Sequence, residues 1–219
     1  MNKGLIIFDL DGTLTDSCPG ILKSIEYAIE KLGRTVPSRE VLMSFVGPPL
    51  LAQFKEVFGM EDDEAEKAVS YFRERYNETG VYENSIFSGI DGLLKKLKKD
   101  GYTLSVATSK PMKMADTVIR HFNIEGYFDF WQGSSGDKGR SDKMDIIECV
   151  IEGNGYSDAK EKVCLVGDRK YDAMGASACG IGFYGAGWGY APEGELEGYP
   201  NKGIAVSPEE LYKMIAEKE

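Results

Sequence analysis

Short apolar runs that stop at a carboxylate or a hydroxyl recur along this chain, and they restrict its fold more than any other feature. Leu5-Ile6-Ile7-Phe8 stops at Asp9, Val163-Cys164-Leu165-Val166 stops at Gly167-Asp168, and the β-rich run Tyr102 to Ala107 stops at Thr108. Continuous runs of four or five such residues suit strands covered on both faces, as in parallel α/β sheets. Open sheets of that kind bind ligands beyond the carboxyl ends of their strands. The polar residues that end the runs are therefore candidates for chemistry.

The first run leads into Asp9-Leu10-Asp11-Gly12-Thr13. Asp9 and Asp11, two positions apart, can reach one spot. Two bare carboxylates about 4 Å apart repel by roughly 4 kcal/mol at an effective dielectric near 20, so such a pair needs a cation or a shared proton. Mg2+ favours hard oxygen ligands and partners phosphate. The alternative is that Asp and Gly simply punctuate a turn at the strand end.

Three further segments carry similar chemistry. Thr108-Ser109-Lys110 precedes Pro111, and a hydroxyl there either donates to a phosphoryl oxygen or caps the helix that follows. Gly139-Arg140-Ser141-Asp142-Lys143 leads into a helical pattern, which puts Lys143 at a helix start, where the dipole disfavours a cation. Gly167-Asp168 has a second acid, Asp172, four residues on, so both can face one cleft if a helix starts near Arg169.

Between these segments strand and helix patterns alternate, with one interruption. Nothing from about Pro19 to Tyr82 reads as a buried strand, whereas Ile21 to Leu32, Leu50 to Phe58 and Glu61 to Tyr76 carry helical spacing. Alternation resumes near Ser88 and continues to a closing helix from Pro208. The expected fold is a doubly wound parallel sheet with helices inserted after its first strand.

The four segments, in this order and over the whole chain, resemble the motifs of the haloacid dehalogenase superfamily in its phosphatase branch. Asp9 to Thr13 resembles the first motif, Thr108 the second, Lys143 the third, and Gly167-Asp168 with Asp172 the fourth. The stretch Phe45-Val46-Gly47-Pro48-Pro49-Leu50 and the loop 139–143 look most like phosphoglycolate phosphatase-like members. The resemblance implies a core domain of residues 1–16 and 88–219 and a helical cap domain of residues 17–87, hinged near Asp16 and Ser88. It implies Asp9 as nucleophile and Asp11 as general acid and base. Mg2+ would be held by Asp9, the backbone carbonyl of Asp11 and Asp168. Thr108 and Lys143 would bind the transferring phosphoryl group, with Gly12 and Ser109 also near substrate, and Asp172 would orient Lys143 or a metal-bound water. Lys138 and Lys110 stand in reserve for Lys143.

Rival chemistries leave marks that are absent here. A dehalogenase proper lacks an acid at the position of Asp11. A β-phosphoglucomutase-like enzyme carries a cap histidine where this chain reads Gly20-Ile21-Leu22, and His121 lies far away. Phosphonate hydrolysis calls for a particular cap lysine, and nothing singles out Lys23 or Lys55. Receiver domains have no inserted helices. Arg73 and Arg75 read as a solvated helix face. The loop Gly185 to Gly194, with Trp188 and Tyr190, either stacks on a ligand ring or covers the sheet edge.

A formal charge of −10, with no basic cluster, argues against a nucleic-acid or membrane surface. Cys18, Cys149, Cys164 and Cys179 show no C-x-x-C pairing, two of them lie in apolar runs, and reduced buried thiols are expected. The apolar run before Asp9 is far shorter than a secretory leader and no run can span a bilayer, so a cytoplasmic enzyme is expected. Its substrate would be a small phosphorylated metabolite. Phosphoglycolate leads, with nucleoside monophosphates, pyrophosphate and sugar phosphates as alternatives.

Overall fold

The computed structural model describes residues 3–135 and 142–217. It divides into two compact units, one of residues 1–16 and 86–219 and one of residues 17–85.

The first unit begins with β1 (Leu5–Phe8) and the short β2 (Thr15–Asp16). In the second unit follow the helices α1 (Cys18–Lys31), α2 (Arg39–Met43), α3 (Leu50–Phe58) and α4 (Asp62–Glu78). After β3 (Ser85–Ile86) the first unit continues with α5 (Ile90–Asp100), β4 (Thr103–Pro111), α6 (Met112–His121) and β5 (Phe130–Ser134). Next come α7 (Lys143–Gly153), β6 (Val163–Gly167), α8 (Lys170–Cys179), β7 (Gly182–Ala186), β8 (Ile204–Ala205) and α9 (Pro208–Ala216).

Among the described residues the main sheet has six strands, all parallel, in the order β5-β4-β1-β6-β7-β8. The chain winds outward from β1 in both directions, so the order reverses there. Phe8 pairs in register with Val106 of β4 and Val166 of β6, which aligns the next residue of each strand at one end of the sheet. Side chains on β1 alternate between faces. Leu5 and Ile7 pack with Leu165 against Ile146, Ile147 and Val150 of α7 and Ala173 and Ala176 of α8. On the other face Phe8 meets Phe128 edge to face, ring centroids 6.5 Å apart. All four β1 residues are buried, each contributing about 1.5–3 kcal/mol.

The helical unit packs α1 on α4. Leu22, Ile25, Ala28 and Ile29 recur at helical spacing on one, and Ala65, Ala68, Val69, Phe72 and Tyr76 on the other. A side chain on Gly20 would lie 2.0 Å from the Gly80 carbonyl, so only glycine permits that approach. Phe45, Phe54 and Phe58 form an aromatic cluster with centroids 5.1 to 6.3 Å apart. Arg34 holds Glu64 through two hydrogen bonds of 2.8 and 2.7 Å and donates to the Phe58 carbonyl.

Several local expectations change. Helix α1 starts at Cys18 rather than Ile21, and α2 was not expected, because five residues offer too short a period to read. Arg75 is not a free helix face: it donates to Ser24 Oγ at 3.2 Å and to Glu83 Oε2 at 2.7 Å. None of the four cysteines forms a disulfide, but Cys18 and Cys179 are the buried ones, whereas Cys149 and Cys164, in the apolar runs, are half-buried. Among the described residues no helix is long and apolar enough to cross a membrane.

Candidate active site

The site forms where β1, β4 and β6 end, at the point of strand-order reversal that open sheets use for ligands. Asp9 follows β1 directly, and its N–H donates to the Val166 carbonyl at 2.8 Å, extending the ladder by one residue. Asp168 follows β6, and Asp172 is the third residue of α8. Asp9, Asp168 and Asp172 each bring a carboxylate oxygen within 4.8 Å of the others.

Lys143, the first residue of α7, sits among these acids. Its ammonium donates to Asp9 Oδ1 at 2.7 Å, to Asp172 Oδ1 at 2.7 Å and to the Ala107 carbonyl at 2.8 Å. Three acceptors match the three donors of an ammonium group. Burial alone would lower its pKa, but Asp172 and Asp9 outweigh that and hold it above the ordinary value. Those contacts also explain how a cation is tolerated at a helix start.

The other acids are fixed by short links. Asp172 Oδ2 accepts the Arg169 N–H at 3.0 Å, closing the first turn of α8. A side-chain carbon on Gly167 would fall 2.4 Å from Asp172 Cβ, so glycine ends β6. Asp168 is fully buried; its Oδ1 accepts the Thr13 hydroxyl at 3.1 Å and its Oδ2 the Tyr190 N–H at 2.9 Å. Gly12, at φ +84°, donates its N–H to the Thr15 carbonyl. That commits its donor to the turn, so Gly12 contributes to the site through the side chain it lacks.

Thr108 is buried within β4, Ser109 is exposed and Lys110 is buried again. Because β4 runs to Pro111, neither hydroxyl caps α6. The Thr108 Oγ1 accepts the Lys110 N–H at 3.3 Å. The Asp11 carboxylate turns to Lys110, whose ammonium lies 2.7 and 3.0 Å from its two oxygens. Lys138 and part of the loop 139–143 lie outside the described residues.

Crowding shows in the acids' proton affinity. Burial pushes Asp9 up to about 6 against the pull of Lys143. Burial, and then the charges of Asp172 and Asp9, raises Asp168 well above the usual carboxylate range. Lys143 is bonded to two of the three clustered acids, so ionised the set carries excess negative charge. Carboxylate oxygens are hard donors, and the set fits a divalent cation.

Residues 6–186 match the family model described as haloacid dehalogenase-like hydrolase. The chain belongs to that family. A 5'-nucleotidase from Pseudomonas aeruginosa is 41% identical over 89% of this haloacid dehalogenase-like hydrolase and 87% of its own length. Tyrosine-protein kinase PtkA from Mycobacterium tuberculosis is 39% identical over 85% of this chain, which spans only 62% of that protein. A phosphoglycolate phosphatase from Pseudomonas fluorescens is 30% identical, with 85% of this chain and 70% of the relative covered. The crystal structure of a predicted phosphatase from Clostridium acetobutylicum superposes with a TM-score of 0.90 at 37% identity, covering 99% of this chain and 100% of that one.

One part of this hydrolase's site escaped the sequence reading, and another admitted two readings. Lys110 figured only in reserve for Lys143, although its place two residues after Thr108 in a strand puts both on the buried side. The loop after β7 proves to be packing: Trp188 Nε1 donates to the Thr13 carbonyl at 3.0 Å, Tyr190 Oη donates to Asp16 Oδ1 at 2.8 Å, and the Tyr190 ring lies against Phe87. No local pattern signals these long-range contacts.

Proposed function

We propose that this hydrolase, of the phosphatase type, is a Mg2+-dependent enzyme that cleaves a small phosphate monoester through an aspartyl-phosphate. The observation that carries the reading is the Asp9, Lys143, Asp172 and Asp168 cluster at the strand-order reversal, with Asp11 outside that cluster on Lys110. A carboxylate oxygen of Asp9 attacks phosphorus while the bond to the ester oxygen breaks, and Asp11 gives the leaving alkoxide its proton. Water then attacks the phosphorus, the bond to Asp9 breaks, Asp11 takes the water's proton, and phosphate leaves.

Asp9 and Asp168, with the Asp11 backbone carbonyl, are the residues that would hold Mg2+, and Asp172 orients Lys143. Bound there, the ion supplies positive charge that lets a carboxylate meet a phosphate dianion. Thr108 has its hydroxyl oxygen engaged by Lys110 N–H, which leaves the proton to offer a phosphoryl oxygen. Lys143 places its charge beside the nucleophile, where negative charge spreads during transfer. Residues 17–87 act as a cap that excludes water and helps choose the substrate. We place the enzyme in the cytoplasm.

Between the substrates considered, the relative at 41% identity favours a nucleoside monophosphate and those near 30% a phosphoglycolate. Phosphate release from a panel of phosphoglycolate, nucleoside monophosphates, pyrophosphate and sugar phosphates, with Mg2+ and with chelator, tests the reading. Chelator-sensitive release from one class is the expected result. No release from any compound in Mg2+ overturns it.

A further inference from the structure

The mechanism above uses Asp11 but leaves unexplained what keeps it from joining the acids around it. Asp9 and Asp11 are two residues apart, yet the group of acids close enough to share an ion is Asp9, Asp168 and Asp172, without Asp11. The side chain of Lys110 accounts for the difference. It is 4% exposed, more enclosed than Lys143 at 7%, and its ammonium contacts both oxygens of Asp11, which is itself 21% exposed. One ammonium within hydrogen-bond reach of both oxygens fixes where the carboxylate sits. Lys110 in turn is anchored by β4, where its own N–H is bound to Thr108, a residue of the phosphoryl site. Two lysines thus divide three of the four acids: Lys143 takes Asp9 and Asp172, and Lys110 takes Asp11.

We propose that Lys110 is a positioning residue that holds Asp11 apart from the carboxylate cluster and aims it for proton transfer to the leaving group. The proposal rests on the phosphatase reading and adds to it. Lys110 acts through Asp11 and touches no reacting atom. Its removal is expected to lower the rate according to how much the departing oxygen needs a proton, and to leave substrate affinity nearly unchanged. A buried ion pair that served only the fold would weaken turnover of every substrate alike.

The test is steady-state kinetics of the full chain with Mg2+ on two esters: p-nitrophenyl phosphate, whose phenolate departs without protonation, and an alkyl phosphate, whose alkoxide requires it. Lys110→Met is expected to lower kcat/KM, which reports the first transfer and not the shared hydrolysis of the aspartyl-phosphate, by about 30-fold or more on the alkyl ester and by about threefold or less on the aryl ester. Lys110→Arg, which keeps the charge but puts a larger planar fork in place of one ammonium at an enclosed position, is expected to recover only part of the alkyl rate. Activity on the aryl ester reports that the variants fold. Asp11→Asn serves as reference and should show the same discrimination more strongly. Equal losses on both esters for Lys110→Met, with discrimination kept in Asp11→Asn, would overturn the proposal and leave the phosphatase reading standing. No discrimination in Asp11→Asn would remove the acid role of Asp11, and the proposal with it.

Discussion

A side-chain carbon placed on Gly12 would lie 2.2 Å from Oδ2 of Asp168. Gly189 closes the other side, where such a carbon would meet Asp168 Cβ at 2.2 Å. The buried acid therefore occupies a slot walled by two glycines, one of them at φ +84°. Gly12→Ala adds backbone strain and displaces Asp168, and is expected to cost about 2–4 kcal/mol in urea unfolding and at least about 100-fold in rate. Gly33→Ala, at φ +70° with nothing within 4 Å, is the control and should lose about 1 kcal/mol with normal activity.

Metal dependence should vary with pH. Asp9 is raised to about 6 in the fold from an ordinary 3.8, so the native state binds more protons than the unfolded chain between those values, and its contribution to stability falls as pH rises through them. In chelator, the stability of the wild type relative to Asp9→Asn should drop by up to about 3 kcal/mol between pH 4 and pH 7. Added Mg2+ should raise the wild-type Tm more at pH 7.5 than at pH 5. Equal shifts at the two pH values would contradict this picture of the cluster.

Lys143→Met removes the cation that, among the described residues, is bonded to both Asp9 and Asp172. Breaking one side of a buried ion pair costs about 3–5 kcal/mol, and that loss is expected in chelator. Mg2+ should restore part of the stability, while kcat stays down by about 100-fold or more. Urea melts with and without Mg2+, beside initial rates, separate the two effects.

In the helical unit, the hydrogen bond from Arg75, together with Lys23, holds Glu83 down at about 2 against its burial. The pair is partly solvent-exposed, so Glu83→Gln should cost about 1–2 kcal/mol at pH 7 rather than the full shift. A carboxylate with a depressed pKa stabilises the fold above its unfolded value of about 4.5 and loses that as pH falls toward 2. The gap between variant and wild type should therefore hold from pH 7 to about 5 and narrow below it in urea melts.

What the sequence made legible was local. Leu5 to Phe8 and Val163 to Val166 read as buried strands because continuous apolar runs have few other uses, and the polar residue that ends each run had to emerge at the sheet's end. The alternation of elements then gave the doubly wound fold. Relationships across the chain stayed hidden: Lys110 meets Asp11 over 99 positions and Tyr190 meets Asp168 over 22. Such pairings leave no periodic trace, because they depend on which strands the winding sets side by side. Thr108 and Ser109 illustrate the limit, since both are plausible caps and only the continuation of β4 to Pro111 decides against it.

The position of β1 has a consequence for synthesis. The central strand is made first, yet its hydrogen-bonding neighbours begin at Thr103 and Val163. At translation rates of about 5–20 residues per second, the partner on the β6 side follows roughly 8–32 seconds later. Helices α1 to α4 pack among themselves within residues 17–85 and can fold in that interval. A nascent chain should thus carry a folded helical segment behind an unpaired apolar strand, which makes Leu5 to Phe8 the stretch most in need of chaperone shelter.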